Sequence, residues 1–66
     1  MNVNEVTVGL RYRVSGDVTN GFFNDLTPYL IHQEMVGVVK KITKSHVTLE
    51  SGHRFHINDN LKIKKF

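Results

Sequence analysis

The sequence predicts an all-β domain of five short strands around one small core. Three observations carry that expectation. Apolar residues recur at every second position in several segments, and clusters of Gly, Asn, Asp and Ser separate those segments. No segment is expected to hold more than one helical turn. At 66 residues the chain is one domain near the lower limit of what folds on a hydrophobic core alone. It has no cysteine and no recognisable metal-ligand spacing, so its core must suffice or an oligomer must complete it.

In "VTVGLRYRV", residues 6–14, Val6, Val8, Leu10, Tyr12 and Val14 alternate with Thr7, Gly9, Arg11 and Arg13. That is the period of a strand with one face buried and its arginines in water. "SGD" at 15–17 and "TNG" at 19–21 carry turn chemistry and are expected to end this first strand. Residues 22–35, "FFNDLTPYLIHQEM", cluster apolar side chains without alternation. They read as a long loop in which Phe22, Phe23, Leu26 and Tyr29 plug the end of the fold, with Thr27 and Pro28 able to start one helical turn.

Strand character returns at "MVGVVKKIT", 35–43, where Val36, Val38 and Ile42 share a parity with Lys40. Either Lys40 sits at the rim, or a bulge at Lys40–Lys41 changes the phase. "VTLESGHRFHI", 47–57, then reads as a hairpin with Glu50, Ser51 and Gly52 in a three-residue loop and Gly52 left-handed. In that register Leu49 pairs with His53, Val47 with Phe55, Thr48 with Arg54 and His46 with His56. "NDN", 58–60, is expected to give one turn of 3₁₀ helix before the last strand, "LKIKKF". The expected core is Val8, Leu10, Val38, Val47, Leu49, Phe55, Ile57 and Ile63.

Strand, long loop, three consecutive strands, a single helical turn and a final short strand together resemble a Src-homology-3-like small barrel. "VGVVKKIT…VTLESG" is similar to the bend and hairpin of KOW-type barrels of translation and transcription proteins. "RFHI" loosely resembles the RNA-binding strand of Sm-like rings, whose N-terminal helix is not evident here. The resemblance implies a five-stranded barrel with the last strand beside the first. Proline-rich peptide recognition is not implied, because the aromatic groove of that class needs tryptophan and this chain has none.

Function is less legible than fold. The net charge of +3 is unevenly placed. Residues 1–39 set Arg11 and Arg13 against Glu5, Asp17, Asp25 and Glu34, a net −2, whereas residues 40–66 set seven Lys and Arg against Glu50 and Asp59, a net +5. An anionic partner, RNA or single-stranded DNA, is therefore expected at Arg11, Arg13, Lys62 and Lys64, with Lys40, Lys41, Lys44, Arg54, His56 and Lys65 as flanking candidates. Tyr12, Phe23 and Phe66 are available to stack a base. The plain alternative is that these lysines serve solubility and edge protection.

The rival expectation is a protein-interaction module, such as a small inhibitor or adaptor of viral or mobile-element type, whose contact loop at 22–31 presents Phe22, Phe23, Leu26 and Tyr29. No phosphate loop, nucleophile elbow or carboxylate pair is present, so no enzymatic activity and no cofactor are expected. His46 and His56 are too few for a metal site. "MNVNEV" lacks the features of a signal peptide, and the sequence reads as a soluble cytoplasmic protein with no membrane contact.

Overall fold

The computed structural model describes residues 2–66 and is all-β, with five antiparallel strands. These are β1 (Arg11–Phe22), β2 (Pro28–Ile42), β3 (His46–Leu49), β4 (Arg54–His56) and β5 (Lys62–Lys65). β1 pairs with β2 along one edge and with β5 along the other, as the expected strand order requires. β2, β3 and β4 follow as a meander, and the single bridge Val18↔Phe55 returns the pairing from β4 to β1. The core enclosed by this ring is Tyr12, Val14, Val39, Val47, Leu49, Phe55 and Ile63.

The hairpin of β3 and β4 has the register read from its sequence. His46↔His56, Val47↔Phe55 and Thr48↔Arg54 are opposed, and Gly52 has φ +93°. Leu49 N–H donates to His53 C=O at 2.9 Å and Gly52 N–H to Leu49 C=O at 2.9 Å, which closes the three-residue loop. Local chemistry suffices here, because the alternation and the turn glycine lie within eleven consecutive residues.

The first strand differs from expectation at both ends. Residues 7–10 form a turn, with Leu10 N–H on Thr7 C=O at 3.3 Å and Gly9 at φ +95°. Val8 and Leu10 are therefore more than half exposed rather than in the core, and Tyr12 takes the place expected of them. Its ring is buried while its hydroxyl accepts the Thr7 N–H at 2.9 Å, which ties the turn to the strand. Before the turn lies a 3₁₀ helix, Val3–Glu5, with a capping box between Asn2 and Glu5.

At the other end β1 runs through "SGD" without turning. A Cβ on Gly16 would stand 3.3 Å from Leu61 Cα and 3.6 Å from Phe55 Cδ2, so the glycine serves a close approach between strand and β4–β5 turn. Asp17, which could have bent the chain by bonding its own backbone, accepts instead from Asn58 Nδ2 and Asn60 Nδ2, both at 3.0 Å. "TNG" becomes a bulge: Thr19 opposes Leu30 and Phe22 opposes Pro28, one residue more on β1 than on β2, with Gly21 at φ +104°.

The expected long loop and helical turn are replaced by a two-stranded arm. Pro28 opens β2 as a first strand residue, where its missing N–H costs no ladder bond. Only residues 23–27 form the connection, closed by Phe23 N–H on Thr27 C=O at 2.8 Å. The arm reaches beyond the core and accounts for the elongated shape, 37 × 22 × 19 Å. Its tip plugs nothing.

Along β2 the inward parity is odd, ending at buried Val39 rather than Val38, and a register shift between Val39 and Lys41 then turns Ile42 inward. The bulge, of the two possibilities at Lys40, is the one adopted. Ile57 is half-buried against the core. Asn58–Leu61 makes one turn, with Leu61 N–H on Asn58 C=O at 3.1 Å, while the one 3₁₀ helix among the described residues is Val3–Glu5.

The packing yields a contrast that thermal or urea unfolding can read. Phe55→Ala should cost about 3–5 kcal/mol, since Phe55 is fully enclosed. Leu10→Ala should cost less than about 1 kcal/mol. Equal losses at the two positions would contradict the burial pattern of β1.

Candidate functional site

Two grooves flank β1, and the basic candidates divide between them. On the outer face, Arg13 lies directly opposite Lys64 and Ser15 directly opposite Lys62. The same β1 residues face Val36 and Glu34 on β2. Arg13, Ser15, His32, Glu34, Lys62 and Lys64 line a shallow groove of about 310 Å³. Ser15 is its buried floor, and the charged side chains form its walls. Arg11 stands at the end of this face with its guanidinium carbon 5.8 Å from the Phe66 ring centroid, a cation–π arrangement.

Among the described residues the one charge pair within 4.0 Å is His32 Nδ1 with Asp17 Oδ1, at 3.9 Å. Among the described residues no lysine or arginine has a carboxylate that close, although Glu34 shares the groove. Like charges directly across a ladder are destabilising. Asp17 is committed elsewhere: the amides of Asn60 and Asn58, and the charges of His32 and His56, hold its carboxyl below the usual range. That stabilisation is present above the ordinary carboxylate value and is lost as acid protonates the group.

The second groove, about 660 Å³, runs between the arm and the β3–β4 hairpin. Val18, Phe22 and Ile31 supply apolar wall, and His46, His53, Arg54 and His56 supply polar wall. The His46 and His56 rings lie 4.4 Å apart. His46 Nδ1 meets Ser45 Oγ at 2.8 Å, and His56 Nε2 meets Thr19 Oγ1 at 2.6 Å. Burial, then His56, then Arg54 push the His46 pKa down.

Of the flanking candidates, Arg54 and His56 thus belong to this second groove. Lys40 and Lys41 sit at the β2 bulge, Lys44 in the turn before β3, and Lys65 opposite Tyr12. None of these four lines either groove. Sequence reasoning missed Ser15, His32 and Glu34. Their signal was the β1–β2 register, which is available only once residues 28–35 are recognised as strand.

The aromatic candidates gather at the arm tip. Phe22 is 66% and Leu26 80% exposed, with Phe23 and Tyr29 also exposed. The Phe23 and Tyr29 rings meet edge to face at 5.4 Å. Leu26 has φ +68°, a conformation a leucine adopts at a cost.

Among the described residues no group of three metal-ligating side chains occurs, and no helix is long and apolar enough to cross a membrane. Comparison with protein-family models, curated proteins and solved structures gives no match for this chain.

The lowered His46 pKa fixes a pH dependence. The unfolded chain takes up the proton near pH 6.5 and the folded chain only at lower pH, so stability is full above about 6.5 and falls below it. The melting temperature should drop between about pH 7.5 and 5.5, and His46→Gln should reduce that drop. Parallel pH profiles for the two proteins would contradict the assignment.

Proposed function

We propose that the protein binds single-stranded nucleic acid, RNA or DNA, across the outer face of β5, β1 and β2, without catalysis. The observation that carries this reading is the directly opposed pair Arg13 and Lys64, flanked by Lys62, with no carboxylate within 4.0 Å of any of the three. A phosphate between opposed cations replaces repulsion with two charge-assisted contacts. Ser15 offers a hydroxyl at the floor, and Phe66, already against Arg11, offers a ring face to a base. Glu34 and His32, at the β2 wall, set the side from which a phosphate is excluded or admitted. A single strand suits the site, because a shallow strip between short strands leaves ring faces open to unstacked bases.

The test is salt dependence. Arg13, Lys62 and Lys64, with Arg11, supply three or four phosphate contacts, so the log–log slope of affinity against salt should be roughly −2 to −3. Replacing Lys62 and Lys64 together by Gln should flatten it by about 1.4 with folding unchanged, since both side chains face water. Binding that ignores salt, or no binding to any single-stranded oligonucleotide at low salt, would refute the reading.

A specific observation also favours a second reading, a protein partner at the arm tip: Leu26 is held exposed at positive φ beside three exposed aromatics. Phe22→Ser should then abolish capture of a nuclease-resistant partner and leave the melting temperature nearly unchanged. Unfolding of that variant would return Phe22 to a structural role.

A further inference from the structure

We infer that the free edge of β2 is a self-association surface, on which a second copy of this chain adds its own β2 antiparallel across a twofold axis at Gln33. β2 pairs with β3 only from Val39 onward. Among the described residues, the backbone of 30–36 makes bonds only within the ladder to β1, so its outer N–H and C=O groups have no protein partner. The two open edges of the sheet are unlike. β5 is four residues long, three of them lysine, a composition that resists edge pairing. The β2 edge reads "LIHQEMV" at 30–36, longer, with Glu34 its only fixed charge and no proline or lysine.

The occupant follows from the pattern of that edge. Opposed residues of an antiparallel pair share a face, and a twofold axis perpendicular to the sheet preserves faces, so it must pass through a residue. Centring on His32 would set histidine against histidine and Leu30 against Glu34. Centring on Glu34 would oppose two carboxylates. Centring on Gln33 sets His32 against Glu34 of the second copy, Leu30 against its Val36 and Ile31 against its Met35, and each pair occurs twice.

The two faces are matched as well. Leu30, His32, Glu34 and Val36 are on one face, whereas Ile31, Gln33 and Met35 are on the other. The register therefore joins apolar residues to apolar residues and an imidazole to a carboxylate, a hydrogen-bonding pair. The result is a continuous sheet, β5–β1–β2 of one copy running into β2–β1–β5 of the other, with both basic grooves on one outer face.

Sedimentation velocity on the native chain tests this. The wild type should show a concentration-dependent dimer. Leu30→Lys or Val36→Glu alone should weaken it by about tenfold, and the double variant, which sets the new lysine of one copy opposite the new glutamate of the other, should recover it. Circular dichroism should show all three folded, since both side chains are about 41% exposed. As the chain has no cysteine, Gln33→Cys should also form a disulfide-linked dimer on mild oxidation, and Asp59→Cys should not. A wild type that stays monomeric at about 1 mM overturns the inference. So does a double variant no better than the singles, or equal linking at both cysteines.

Discussion

The close approach at Gly16 is the constraint on which the rest of the structure depends. Leu61 Cα would stand 3.3 Å from a Cβ there, and Phe55 packs beside it. Because nothing projects from that point, the β4–β5 turn can lie against β1 and Asn58 and Asn60 can reach Asp17. β5 then docks beside Tyr12–Ser15, and Val18 can bridge to Phe55 one residue beyond Asp17. A side chain at position 16 would press on Leu61 and push the β4–β5 turn outward from β1. That strain would fall between the strands that carry Phe55 and Ile63 into the core, in a domain with little stability to spare.

The same constraint positions the candidate surfaces. With β1 continuous past residue 16, its outer edge holds Lys62 and Lys64 beside Arg13 and Ser15 at one end. Its other end carries β2 outward as an arm. The basic groove and the aromatic tip are thus two ends of one strand pair, and the free β2 edge lies between them. The proposed nucleic-acid face and the proposed association edge are compatible, because opposed cations lie across β1 and β5 while the unpaired backbone groups lie on the far side of β2.

How much of this was legible in the sequence depended on how far apart the deciding residues are. The β3–β4 hairpin was readable to the residue, because Gly52 and the alternation of Val47, Leu49 and Phe55 are local signals. The outward parity of Arg13, Lys62 and Lys64 was readable too, since alternation needs no knowledge of neighbours. "SGD" and "TNG" were misleading because their usual turn chemistry was overridden from a distance. The amides that claim Asp17 are 41 and 43 residues away in sequence. Val8 and Leu10 continue the alternation of β1 but lie in a turn that the Tyr12 hydroxyl holds, an interaction invisible to periodicity. The arm was missed for the complementary reason: its outer part is exposed on both faces, and nearer the core polar Gln33 takes an inward position while Leu30 and Val36 take outward ones, so apolar alternation does not mark the strand.

The measurement that tests the account most directly is the pattern of cross-strand proton–proton contacts in solution along β1 and β2. Nuclear Overhauser effects should run unbroken from Arg11 opposite Val38, through Gly16 opposite Gln33, to Thr19 opposite Leu30. Contacts that stop at Val14, with residues 15–17 in a turn and 22–35 folded over the core, would contradict the continuous strand and with it the arm, the free β2 edge and the placement of both grooves.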